Sequence, residues 1–158
     1  MMFNPEVKTK SQIWWDLWYL GIAKQYSTGS KDPSTKVGSV IVHKKRLKSA
    51  GYNGFSPGEN DDPELYWDRE YKLENCVHAE VNALNDLDDD SVFDATIYVY
   101  PLMPCFDCAK LIVNDLRIER IVTTDYEPER WLESFIGAKK LIANSRISFI
   151  QYPITQVI

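Results

Sequence analysis

Few residues in this chain can do chemistry beyond simple acid–base exchange. The 158 residues include two histidines and three cysteines, so a site for a soft metal draws on His43, His78, Cys76, Cys105 and Cys108. Cys105 and Cys108 lie one helical turn apart after Pro104, a spacing that lets both sulfurs grip one ion from the same helix face. A helix N-terminus carries about half a positive charge, which favours thiolate over thiol there. His78 opens a second helical stretch and can supply one imidazole nitrogen. Three protein ligands leave one tetrahedral position open, and that opening separates a catalytic zinc from a structural one. Water held there is acidified toward neutrality and becomes a hydroxide nucleophile once a base takes its proton. Glu80 follows His78 in the first helical turn. From there its carboxylate can lean over the open position without ligating and relay protons.

A blander arrangement uses the same residues. Cys76 could close a structural Cys3His tetrahedron, but Cys76 and His78 are two apart at a helix start and point in different directions. Cys76 reads instead as a packed small hydrophobe. His43 reads as a surface residue, and Trp14, Trp15 and Trp18, at helical spacing, as core or subunit contact rather than a platform for a base.

These residues need elements to hold them. Trp14, Leu17, Trp18, Gly21 and Ile22 mark one face of a helix from about Ser11 to Tyr26. Val37–His43 and Leu47–Tyr52 read as a hairpin across Lys44, Lys45 and Arg46. Residues 53–75 read as a long polar loop, of a length that is usually functional. A helix is expected over His78–Leu87, with the acidic run Asp86, Asp88, Asp89 and Asp90 at its exit as a solvated surface, divalent-cation binding being the lesser alternative. Thr96–Tyr100, Cys105–Leu116 and Ile121–Thr124 make a strand, helix, strand unit, which implies a parallel pair with a right-handed crossover. A helix through Trp131, Phe135, Ala138, Leu141 and Ile142 and a strand over Ile147–Tyr152 complete an α/β sandwich around one mixed sheet. The length suits a single domain over residues 1–158.

Composition narrows the function classes. Eighteen Lys and Arg against 23 Asp and Glu leave a net charge of −5. Binding to a long nucleic acid is driven by basic residues releasing counterions, so this balance favours a small ligand. The basic run His43–Lys48 reads as a hairpin tip. An odd cysteine count argues against a disulfide framework and for a reducing compartment. Met1–Gln12 shows no targeting pattern, and no apolar run is long enough for a membrane span, so the expected location is the cytoplasm, of a host cell if the source is viral.

His78-Ala79-Glu80 and Pro104-Cys105-Phe106-Asp107-Cys108 together match the signature of zinc nucleobase deaminases. Ser30–Gly38, then Gly51-Tyr52-Asn53-Gly54 and the acidic loop, closely resemble the deoxycytidylate deaminases, from about residue 12 to about residue 125. The resemblance implies a cytidine deaminase-like three-layer α/β/α fold with a five-stranded mixed sheet. It implies hydrolysis of dCMP to dUMP and ammonia at one zinc, with hydroxide attacking C4 while Glu80 protonates N3 and then the departing amine. It further implies a backbone hydrogen bond from Ala79 to the base, a sugar contact from Asn53 and a nucleotide contact from Tyr126. For the 5′-phosphate, Lys31 and then Lys36 come first, with Arg69 and Lys72 also open. Where some relatives carry an arginine after the tyrosine matching Tyr126, this chain has Glu127. Family members are commonly homo-hexamers activated by dCTP and inhibited by dTTP with Mg2+. The resemblance implies Lys36, Gly54 and Phe55 as the corresponding effector residues here. A second, structural zinc is not expected, since Phe55–Val77 offers Cys76 as its one soft ligand. The competing readings are a tRNA adenosine deaminase or a nucleic-acid cytosine editor, which call for a basic face, and a non-catalytic zinc-stabilised binding module.

Overall fold

The structure, a computed structural model, describes residues 10–158. Most of the expectation about a leader in Met1–Gln12 therefore lies outside the described residues. The Ser11 hydroxyl accepts the Trp14 amide at 3.1 Å and caps α1, Gln12–Ser27. Strands β1 (Gly38–His43) and β2 (Arg46–Tyr52) form the expected hairpin. Its tip places Lys44 and Lys45 at φ of 50° and 61°, the left-handed pair that a two-residue turn between twisted strands requires.

The segment read as an irregular loop is instead ordered. Strand β3 (Gly54–Phe55) pairs with β4 (Cys76–Val77), and between them lie a 3-10 turn, Pro63–Trp67, and α2, Arg69–Asn75. Asp62 and Asp68 cap these two pieces by accepting the Glu64 and Tyr71 amides at 3.0 and 3.1 Å. Phe55 stacks on Tyr66 with ring centroids 4.1 Å apart. The excursion has its own small packing centre, which its polar composition concealed.

Helix α3 (Ala79–Asp86) is followed by β5 (Ala95–Tyr100), α4 (Phe106–Asn114), β6 (Ile118–Thr124), α5 (Leu132–Ala143) and β7 (Ser148–Tyr152). The main sheet has five strands in the order β2-β1-β5-β6-β7, with β1 antiparallel to both neighbours and β5, β6 and β7 parallel. Side-chain alternation gives the sheet two apolar faces. Val40, Val42, Tyr98 and Val122 pack with Tyr19, Leu20 and Ala23 of α1. Ile41, Ile97, Val99 and Ile121 pack with Ala83 of α3, Ile112 of α4 and Phe135 of α5. The result is the expected three-layer α/β/α arrangement.

One expectation for α1 needs correcting. Its buried stripe is Asp16, Tyr19, Leu20, Ala23 and Ser27, not the face through Trp14 and Trp18. Trp14 stacks on Trp18 at 6.1 Å, Trp15 meets both edge-on and packs partly against the core, and Trp18 is 40% exposed. A buried aspartate breaks an apolar pattern, and partners remote in sequence make it tolerable.

The helix also approaches β1 closely. A Cβ on Gly38 would lie 1.9 Å from the Ala23 carbonyl oxygen and 2.6 Å from the Ser27 amide. Gly38→Ala is expected to cost about 2–3 kcal/mol, the upper range for overpacking. Urea unfolding checks this, and an unchanged midpoint would contradict so tight a contact.

Candidate active site

Two helix N-termini meet on the side of the sheet covered by α3, α4 and α5. Helix α3 is pinned to β2: the Ser49 hydroxyl donates to the Ala83 carbonyl at 2.8 Å, and the Asn82 amide donates to the Tyr52 carbonyl at 2.9 Å. Gly51 lets them touch, since a Cβ there would sit 2.8 Å from the Ala79 carbonyl oxygen. Helix α4 is held at its start by the Ser134 hydroxyl of α5, which accepts the Phe106 amide at 2.9 Å. His78 and Cys105 occupy the two N-cap positions.

This construction brings the three expected donors together. One ligand atom from each of His78, Cys105 and Cys108 can be chosen so that all lie within 4.8 Å of one another. His78 Nδ1 is 3.2 Å from Cys108 Sγ and 3.5 Å from Cys105 Sγ. Cys76 is not part of this group.

Without a cation, these groups must share protons. The sulfur–sulfur hydrogen bond, assisted by the His78 contact, pulls the Cys105 thiol down to about 4. The same sulfur–sulfur bond, together with burial, pushes Cys108 up. The Cys105 contact lifts His78 to about 9, against the opposing effect of burial. A thiolate beside an imidazolium and a proton-retaining thiol is a site whose protons a divalent ion would displace. Two sulfurs and one nitrogen suit zinc, and they leave a coordination position for solvent. The residues present thus fit the ion.

Glu80 is 4% exposed, and burial, the largest influence, raises its carboxyl above the ordinary range despite the opposing pull of His78. Cys76 is half-buried, and burial first, then the Asp32 charge, pushes its thiol up to about 11. It is a neutral wall residue. Cys76→Ser is expected to retain one zinc per chain by elemental analysis, and loss of the ion would revive the closed Cys3His site.

A cavity opens beside these groups. Asn53, Ala79, Arg69 and Lys72, to which the family resemblance gives nucleotide contacts, all line it. Asn53 has most of its amide occupied: its Oδ1 accepts the Val37 amide at 2.8 Å, and its Nδ2 donates to the Thr35 carbonyl at 2.9 Å. Lys31 and Lys36 do not line the cavity. Lys31 forms an ion pair with Asp61, and the Lys36 ammonium donates to the Ser30 carbonyl. Tyr126 is 46% exposed and also off the wall. Gly54 and Phe55 are tied up in the β3–β4 pair.

Leu102, Met103, Trp131, Phe135 and Arg130 line the cavity without having been singled out from the sequence. Trp131 and Phe135 read from the sequence as one face of a helix, Leu102 and Met103 carry no motif, and no spacing links Arg130 to the zinc motif. The Arg130 guanidinium donates to the Thr35 hydroxyl at 3.0 Å across 95 residues of chain. His43, by contrast, ends β1 at the hairpin tip.

Comparison with known proteins agrees with this geometry. The family model described as "Cytidine and deoxycytidylate deaminase zinc-binding region" matches residues 14–124. A "Probable deoxycytidylate deaminase" of Caenorhabditis elegans is 36% identical over 143 residues, covering 87% of this chain and 70% of that protein. The human "Deoxycytidylate deaminase" is 35% identical over 114 residues, covering 68% of this chain and 63% of its own length. This chain thus spans under two-thirds of the human protein. Among solved structures, the dCMP deaminase of cyanophage S-TIM5, in complex with dCMP and dUMP, has the same fold, with a TM-score of 0.65 at 19% identity, covering 90% of this chain and 98% of that one. Family match, relatives and geometry converge, and the chain belongs to the cytidine and deoxycytidylate deaminase family.

Proposed function

We propose that this chain hydrolyses dCMP to dUMP and ammonia, with zinc held by His78 Nδ1, Cys105 Sγ and Cys108 Sγ. The observation that carries this reading is the convergence of those three donors beside the buried carboxyl of Glu80. Zinc at such a site supplies Lewis acidity, which makes water a nucleophile near neutral pH. The remaining chemistry falls to the protein. Burial raises the proton affinity of Glu80, so it can take one proton from the attacking water and give it to N3 of the cytosine ring, then take the proton of the new C4 hydroxyl and deliver it to the departing amine. The N–H of Ala79, in the first turn of α3, lacks a helical partner and is suited to the base carbonyl. Leu102, Met103 and Phe135 give the cavity apolar surface that limits water beside the base. Asn53, assigned to the sugar hydroxyl, also holds the 32–37 segment in place through the Val37 and Thr35 bonds.

Ammonia release from dCMP, cytidine and dCTP, compared side by side on the zinc-loaded chain, tests the substrate. dCMP is expected to have the highest kcat/KM by at least tenfold. If cytidine is the best substrate, the phosphate has no role and the reading fails.

The same reading places the reaction in the cytoplasm and makes residues 1–158 one deaminase domain. No helix among the described residues is long and apolar enough to cross a membrane. It also includes a homo-hexamer and control by dCTP and by dTTP with Mg2+ through Lys36, Gly54 and Phe55. Support for these points comes from the family resemblance. Light scattering is expected to give six copies, and repeating the assay with each triphosphate is expected to raise activity with dCTP and lower it with dTTP.

A further inference from the structure

We propose that Arg130, seconded by Arg69, is the anion-reading residue that makes this pocket prefer a nucleoside monophosphate over the bare nucleoside. The assignment rests on the dCMP reading above and deepens it. Lys31 and Lys36, which lead the sequence-based choice, stand off the cavity wall and already have oxygen partners. Lys72 does line the cavity, but its ammonium lies 3.2 Å from a carboxylate oxygen of Asp32, and that Asp32 side chain is 5% exposed. Asp32 also accepts the Ser34 and Thr35 amides at 2.8 and 3.2 Å. Moving Lys72 onto a phosphate would strip a buried carboxylate of its counter-charge, which is strongly unfavourable.

Arg130 is in a different position. Among the described residues its one side-chain hydrogen bond is to the neutral Thr35 hydroxyl, and no carboxylate is within ion-pair distance of it. A guanidinium has five N–H donors in a planar fork that matches phosphate oxygens, so one bond to Thr35 leaves most of them available. The charge lines the cavity without being neutralised by a carboxylate among the described residues. The neighbouring Trp131 ring lies 5.7 Å from the guanidinium carbon, and the Thr35 bond fixes the other side. A side chain steadied this way loses less freedom on binding than a solvated lysine would. Arg69, on the same cavity wall, also has no ion-pair partner among the described residues. Two guanidiniums balance the charge of a phosphate monoester dianion, while Lys72 and Asp32 neutralise one another.

The test compares kcat/KM for dCMP and for deoxycytidine on the zinc-loaded full chain. Arg130→Ala is expected to lower the dCMP/deoxycytidine ratio at least thirtyfold, chiefly through KM for dCMP. Arg130→Lys keeps the charge but loses the fork and is expected to restore less than a third of that loss. Arg69→Ala leaves the Thr35 bond in place and is expected to lower the ratio by a smaller factor, about threefold to tenfold. Equal losses on both substrates would reduce Arg130 to a structural strap and overturn the assignment. Persistence of wild-type dCMP preference in both alanine variants would overturn it while sparing the dCMP reading. A wild-type chain that works no better on dCMP than on deoxycytidine would defeat the substrate reading itself.

Discussion

Glu80→Gln is expected to keep the fold and one zinc per chain while losing turnover of dCMP by at least a thousandfold. Glutamine has nearly the shape of glutamate, so the buried pocket around a side chain only 4% exposed is preserved. What disappears is a group able to carry a proton from water to the base. General acid–base catalysis contributes about a hundredfold to ten-thousandfold, and a thousandfold loss corresponds to about 4 kcal/mol of barrier. Because Glu80 is not one of the three grouped metal donors, elemental analysis should give unchanged stoichiometry. Circular dichroism should likewise be unchanged. Activity within tenfold of wild type would remove Glu80 from the mechanism. The non-catalytic zinc-module alternative predicts no functional consequence at all, so the same measurement separates the two.

The second large effect lies on the opposite face of the sheet, away from the cavity. Asp16 is fully buried, and its carboxylate accepts from Arg120 at 2.8 Å and from the hydroxyls of Tyr98 and Tyr152, each at 2.7 Å. Gln12 adds a bond at 2.9 Å. One side chain of α1 thereby ties together strands β5, β6 and β7. Asp16→Ala leaves the Arg120 charge and the Tyr98 hydroxyl, on a residue 2% exposed, without their partner. Removing one member of a buried charged pair costs about 3–5 kcal/mol, which would consume much of the stability of a domain this size. Urea unfolding at neutral pH checks the magnitude.

Asp16 also predicts a pH signature. Burial pushes its carboxyl up, but Arg120 and the three neutral donors outweigh that and leave it below the ordinary carboxylate value. A carboxyl with a lowered folded-state pKa stabilises the fold fully above its unfolded pKa of about 4 and loses that contribution as the pH falls through the folded value. The stability gap between wild type and Asp16→Asn is therefore expected to be constant from about pH 5 to pH 7 and to narrow below about pH 4. A gap independent of pH throughout would mean that the carboxylate charge is not what holds α1 down.

How legible each feature was depended on how local its cause is. The hairpin, α3, α4 and the parallel strands follow from periodicity and from breakers within a few residues, and the structure has each of them with no end moved by more than three residues. Residues 53–75 were harder, because helix caps at Asp62 and Asp68 and a Phe55–Tyr66 stack do not make a repeating apolar pattern. The face of α1 was misread for a related reason: Asp16 looks like a surface residue until Arg120, Tyr98 and Tyr152 are folded against it.

The amino-acid order alone determined the reactive set. Imidazole, two thiols one turn apart and a carboxylate in the first turn of a helix are local chemical facts, and their spacing already points to a metal site with an acid–base group beside it. Only the tertiary structure decided which charges face the cavity. Lys31, Lys36, Arg69, Lys72 and Arg130 are equivalent cations on paper. Asp61 and the Ser30 carbonyl engage the first two, Asp32 neutralises Lys72, and Thr35 holds Arg130 from 95 residues away. Local chemistry is written in residue types, whereas the availability of a charge depends on which partner the fold brings within hydrogen-bond reach.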